Sequence, residues 1–164
     1  MTRLQYVQSK LINRHSLLSK LCIWQLKNKK IVFTNGCFDI LHLGHIDYLS
    51  KAADLGDVLI VGVNADNSVK RLGKGSSRPI QDEYARALLI AALGFVAAVV
   101  IFDEDTPYEL IKEIQPHVLV KGADWKPEDI VGYDIVTAHG GEVKTINYLE
   151  GYSTSNIEKK IRTT

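Results

Sequence analysis

Short apolar runs alternate along this chain with longer stretches whose apolar residues recur at every third or fourth position. Ile31-Val32-Phe33, Val58 to Val63, Val96 to Phe102, His117 to Val120 and Val143 to Asn147 read as strands. Val58 to Val63 is apolar throughout, as a strand buried on both faces should be. Between these runs the spacing predicts helices. Ser16 is placed to cap Leu17 to Leu26, within a helical segment 1–30 that breaks at Asn13-Arg14-His15. Ile46 to Ala53 forms the next helix, and Asp82 to Leu93 another, with Gly94 as its stop. Thr106-Pro107 opens a helix through Ile114, with threonine as cap and proline in the first turn. A short helical stretch ends at Gly140-Gly141, and Asn156 to Ile161 closes the chain. Val69 to Ser77, basic and glycine-containing, reads as a loop.

Strand and helix thus alternate about five times, which predicts one α/β domain over 1–164. It is Rossmann-like, with a five-stranded parallel sheet and helices on both faces. The segment 1–30 is expected to pack on the sheet, or to form a dimer contact, and 31–164 to be the core. In such sheets ligands bind at the carboxyl ends of the strands. Polar clusters follow all five predicted strands, so they should meet on one rim.

Composition narrows the classes. At 164 residues, 46% hydrophobic and 24% charged, the chain can bury a full core. A net charge of +1 gives no electrostatic case for nucleic acid. No apolar run is long enough to span a bilayer, and 1–20 lacks a signal-peptide core. Cys22 and Cys37 have no metal-binding spacing, and a reducing cytoplasm is the expected location.

The chemistry concentrates in Thr34-Asn35-Gly36-Cys37-Phe38-Asp39-Ile40-Leu41-His42-Leu43-Gly44-His45. It lies between a strand and a helix, the layout in which backbone N–H groups and a helix dipole receive phosphate. His42 and His45, three apart, share a helix face and could grip one phosphoryl group. Gly44 between them lets a ligand approach the backbone. Lys70 and Lys74 could close over phosphates. Lys121-Gly122 with Asp124 follows the fourth strand, and Ser153-Thr154-Ser155 can both cap the last helix and hold phosphate. Arg86 shares a helix face with Asp82 and either pairs with it or reaches the rim.

The string 34–45 resembles the signature of the nucleotidylyltransferase superfamily, His-x-Gly-His after a Gly-x-Phe-Asp turn. From Ser16 to Ile161 the chain resembles the adenylyltransferase domain of bacterial ADP-heptose synthesis. The resemblance rests on Phe33 to Asp39, Val61 to Asn64, Ser68 to Leu72, Arg78-Pro79-Ile80, Glu104 to Pro107, Leu119 to Gly122 with Asp124, and Gly151 to Ile157. It implies transfer of AMP from ATP to heptose 1-phosphate. A separate sugar kinase would supply that acceptor, and Mg²⁺ would arrive with ATP rather than in a protein cage. His42, His45 and Lys70 would be catalytic. Thr34 to Asp39, Gly44, Lys121, Gly122, Asp124 and Tyr152 to Ser155 would bind the nucleotide. Asn64, Asp66, Lys74, Arg78 and Arg86 would face the acceptor. Tyr148 stands where similar cytidylyltransferases for glycerol 3-phosphate or choline phosphate carry arginine, which weakens that alternative. The loop 72–78 is one residue longer than the resemblance leads one to expect. A nucleotide-binding sensor without turnover is the alternative from another class.

Overall fold

The computed structural model describes residues 1–73 and 78–163. Five parallel strands form its sheet: β1 Ile31–Gly36, β2 Val58–Asn64, β3 Ala98–Phe102, β4 Val118–Gly122 and β5 Glu142–Ile146, in the order β3-β2-β1-β4-β5. The side-chain period of two divides each strand between the faces. Ile31 and Phe33 of β1 face one core with Ile60, Val100 and Leu119. Val32 faces the other with Leu59, Val61, Val99 and Val120. The first core is covered by α2 (Arg14–Leu26) through Leu17 and Leu21, α6 (Tyr108–Ile114) through Leu110, Ile111 and Ile114, and α7 (Tyr133–Ala138) through Ile135 and Val136. The second is covered by α3 (Leu43–Ala53) through Tyr48, Leu49 and Ala52, and by α5 (Glu83–Ala91) through Ala87, Ile90 and Ala91.

Residues 1–30 belong to the same body. α1 (Arg3–Gln8) precedes a short stretch running beside β3, where Ile12 N–H donates to Val99 and Val99 N–H donates to Lys10. α2 begins earlier than the cap assigned to Ser16: the Asn13 side chain accepts from Ser16 N–H, so asparagine is the cap and Ser16 is already helical. Pro107, not Thr106, occupies the cap position of α6, with no side-chain bond. α5 stops at Ala91, before Gly94.

One difference bears on function. The expected loop Val69–Ser77 begins as helix, α4 Asp66–Arg71. Asp66 in its first turn and Lys70 and Arg71 in its last complement the helix dipole. Six residues are too few to show a 3.6-residue period. Lys74 lies outside the described residues. The last helix, α8 Thr154–Thr163, is longer than expected and has no buried residue.

Strand order reverses between β1 and β4, and there the pairing is short. Only Val32↔Val118 and Phe33↔Leu119 are in register, although β1 runs on to Gly36 and β4 to Gly122. The two strand ends therefore part and open a crevice at the topological switch point.

Candidate active site

That crevice is the mouth of a cavity of about 800 Å³. β1 supplies Asn35 and Gly36, and the turn after it supplies Cys37, Phe38, Asp39 and His42. α3 adds Gly44, His45 and Tyr48. Asn64 comes from the end of β2, Leu72 and Arg78 from beyond α4, and Asp105, Thr106 and Pro107 from beyond β3. Lys121, Gly122 and Trp125 follow from β4, and Tyr148, Tyr152, Ser153, Thr154 and Asn156 from beyond β5. All five strand ends contribute, as a parallel sheet requires.

His42 is the N-cap residue of α3 and His45 lies in its first turn. Their rings stack at 3.8 Å between centroids, 20° from parallel, and Phe38 meets His45 edge-on at 5.2 Å. Among the described residues neither Nδ1 has a hydrogen-bond partner. Burial lowers the pKa of His42. Burial, and then the neighbouring His42 ring, lower that of His45 to about 4, against a weaker pull from the Ile40 backbone. Two imidazoles stacked this closely cannot both carry charge. At neutral pH the pair is uncharged, and each ring has one N–H to donate.

Space is tight at Gly44. A Cβ would lie 3.0 Å from the Tyr152 backbone oxygen and 3.1 Å from the His42 ring. The glycine lets the chain before α8 pass directly over the histidine turn. Gly122 serves β4 in the same way, because a Cβ there would run into the Tyr148 ring. Tyr148 rests on the bare strand end and donates to Asp124 at 3.3 Å. Lys121 reaches across the switch point to Asn35 Oδ1 at 2.6 Å.

Asp39 is 3% exposed. Its Oδ1 accepts from the Ile80 and Gln81 N–H groups, at 2.8 and 3.0 Å, while Oδ2 is buried and has no partner among the described residues. Asn64, also buried, donates to Ser68 and has Cys37 Sγ near its Oδ1. Arg78 pairs with Glu158 of α8 at 2.9 Å. Ser153 Oγ caps α8 by accepting from Asn156 N–H. Among the described residues no group of three or more His, Cys, Asp or Glu side chains could hold a metal.

Several expected ligands stand elsewhere. Thr34 is fully buried, and its hydroxyl shares a 2.8 Å hydrogen bond with Tyr48, whose phenol burial pushes up in pKa. Arg86 is also fully buried, too deep to meet an acceptor. It donates to the carbonyls of Gln81, Cys37 and Asn64 and to the Asp66 carboxylate. Asp66 is therefore committed to Arg86, while Asp82 caps α5 through Ala85 N–H. Asp124 and Ser155 are exposed and do not line the cavity. Lys70 is exposed on the last turn of α4, two residues before Leu72 of the lining.

The cavity also uses residues that the sequence did not single out as ligands, including Tyr48, Thr106, Trp125 and Tyr148. For Tyr48 a signal existed: it lies three residues after His45, on the same helix face. The others meet the site only through the fold.

The family model described as cytidylyltransferase-like matches residues 33–160. A curated protein of Campylobacter jejuni subsp. doylei named "Bifunctional protein HldE" is 56% identical over 155 residues, 94% of this chain and 32% of that protein. Its namesake in Helicobacter hepaticus is 54% identical over 158 residues, 96% of this chain and 31% of that one. The chain thus spans about a third of the length of the curated relatives it matches. Among solved structures, a lipopolysaccharide core biosynthesis protein from Thermoplasma volcanium superposes with a TM-score of 0.60 at 31% identity, covering 76% of this chain and 99% of that one. A pantoate-beta-alanine ligase from Francisella tularensis shares the fold alone, with a TM-score of 0.59 at 15% identity over 93% of this chain and 76% of that one. With a family model matched from residue 33 to residue 160, most of its length, this chain is a member of the cytidylyltransferase-like family.

Proposed function

We propose that the chain transfers AMP from ATP to a sugar 1-phosphate, heptose 1-phosphate in particular, forming an ADP-sugar and pyrophosphate. The observation that carries this reading is the stacked, uncharged His42–His45 pair at the start of α3, facing the cavity at the switch point. Likeness to proteins named HldE, and to one named for lipopolysaccharide core biosynthesis, supports a surface-polysaccharide precursor as product.

A sugar phosphate oxygen attacks the α-phosphorus of ATP. The bond from that phosphorus to the bridging oxygen breaks, and pyrophosphate leaves with the electron pair. The nucleophile is already an anion, so no general base is needed. Alignment and charge stabilisation do the work. The two imidazole N–H groups donate to the α-phosphoryl oxygens, where charge grows. The amides of the Gly36–Phe38 turn and of the α8 N-terminus hold the triphosphate. Lys70 extends from α4 toward the outer phosphates, and Arg78 exchanges Glu158 for a substrate phosphate. Mg²⁺ enters with the nucleotide as part of the substrate. The sugar 1-phosphate must come from a phosphoryl-transfer step.

The test is a matrix of ATP, CTP and GTP against heptose 1-phosphate and glycerol 3-phosphate, read by pyrophosphate release. ATP with heptose 1-phosphate should give the highest kcat/KM. A higher value for CTP with glycerol 3-phosphate would replace the acceptor and the base. ATP binding without turnover on any acceptor would make the chain a sensor.

A further inference from the structure

We infer that Arg86 is a positioning residue for the phosphate turn: from beneath the rim its guanidinium holds the Cys37 carbonyl inward, which turns the Phe38 N–H toward the cavity as a phosphoryl-oxygen donor. This rests on the proposed function for the identity of the phosphoryl group alone.

The Cys37–Phe38 peptide is planar, so its C=O and N–H point in opposite directions. The carbonyl accepts from Arg86 Nη1 at 2.5 Å, from a side chain that is fully buried. The N–H is thereby aimed away from Arg86. Among the described residues it donates to no backbone group, and both residues of this peptide line the cavity. Phe38 has φ +49°, a left-handed backbone that a non-glycine residue adopts only when its surroundings impose it. Arg86 is one of those surroundings.

The rest of the guanidinium ties the turn to the scaffold. Nη2 donates to the Asn64 carbonyl at the end of β2 and to Asp66 at the start of α4, both at 2.7 Å. Nε donates to the Gln81 carbonyl at 3.0 Å. Gln81 closes the circuit: its N–H donates to Asp39 Oδ1 and its Nε2 to the Asp39 carbonyl. The turn is held from Cys37 and from Asp39, and both holds lead back to the same short segment before α5. A carbonyl left facing the cavity would repel a phosphate; one satisfied by a buried cation behind the turn does not.

The test records ¹H–¹⁵N spectra of the full chain with and without MgATP, alongside pyrophosphate release. In the native chain the Phe38 amide proton should move downfield when MgATP is added. Arg86→Lys keeps the charge but loses the planar fork. There the movement should shrink by at least half and kcat should fall about 10²-fold, as for a small misplacement of reacting groups, with KM for ATP changing far less. Ile90→Ala leaves a cavity in the same helix, and Ile90 is fully buried. It should lower the melting temperature yet keep the full Phe38 movement and the rate per folded molecule. Arg86→Lys with a native Phe38 response and native kcat would overturn the inference. So would a native Phe38 amide that stays still while the His42 and His45 resonances move, a result that needs no variant to fold. The spectra require only ATP binding, so a chain that binds MgATP without turnover would sink the functional reading and leave this test intact.

Discussion

His45→Asn should change the acid stability of the protein in a direction fixed by burial. Asparagine keeps a hydrogen-bonding side chain near the position of Nδ1 and does not titrate. In the native chain His45 titrates near 6.5 when unfolded and near 4 when folded. The unfolded state therefore binds more protons between those values, and stability falls as pH drops through that window. From pH 7 to pH 4 this amounts to about 3 kcal/mol by linkage, reduced to about 2 kcal/mol because part of the ring remains open to solvent. For a domain of this length that is about 4–8 °C in melting temperature. Carboxylates also titrate in this range, so the informative quantity is the difference between the native and variant melting temperatures. It should swing in favour of the variant by this amount between pH 7 and pH 4. A difference that stays constant across the range would show that His45 is not held neutral, and the picture of paired uncharged donors would fall with it.

Lys70→Ala should lower kcat/KM about 10²-fold, the scale of one lost charge-stabilising group, with an unchanged melting temperature because the side chain is exposed; an unchanged rate would remove Lys70 from the chemistry. Gly44→Ala pushes against the Tyr152 backbone oxygen and the His42 ring, so ATP affinity should fall about tenfold for a cost near 1.4 kcal/mol, as calorimetry would show. Glu158→Gln cuts a partly buried ion pair and should speed amide exchange in α8 about fivefold, for a loss of about 1 kcal/mol; uniform protection of α8 in both proteins would count against that anchor.

The strands were legible because burial on both faces writes itself as uninterrupted apolar sequence, as in Val58 to Val63. The rim followed from chain direction alone, since parallel strands place every loop after a strand at one end. α4 was not legible: six residues, half of them charged, look like a solvated loop until the tertiary fold gives Ser68 and Val69 something to pack on. Arg86 carried a signal that the ion-pair reading with Asp82 obscured. It stands beside Ala87 and one turn before Ile90, on the buried stripe of α5. A charge on a buried stripe must be fully hydrogen-bonded, and the partners proved to be the carbonyls of Cys37, Asn64 and Gln81 and the Asp66 carboxylate. Thr34 was misplaced for a related reason. A hydroxyl beside a phosphate turn looks like a ligand, but alternation along β1 turns it toward Tyr48. The seat of Tyr148 on Gly122 depends on two strand ends meeting, and no local pattern encodes it.

The electrostatics of the site follow from these placements. In the proposed reaction the groups nearest the α-phosphorus would be dipoles rather than fixed cations: two uncharged imidazoles, turn amides and the start of a helix. Close by, Asp39 is a buried carboxylate tied to backbone N–H groups, and Arg86 is a buried cation tied to carbonyls and to Asp66. Lys70 stands further out, exposed on α4, while Arg78 is paired with Glu158 and Lys121 with Asn35. Such a gradient suits a reaction whose substrate and product are both polyanions. In the proposed reaction, peripheral positive charge would draw the triphosphate in and neutralise the departing pyrophosphate. The centre would then stabilise only the extra charge that appears on the α-phosphoryl group in the transition state, which is what raises kcat rather than merely tightening binding. A central lysine or a charged imidazole pair would hold the ground-state triphosphate and the ADP-sugar almost as firmly as the transition state. Burial of the histidine pair, by keeping it neutral until a phosphate arrives, would avoid that loss.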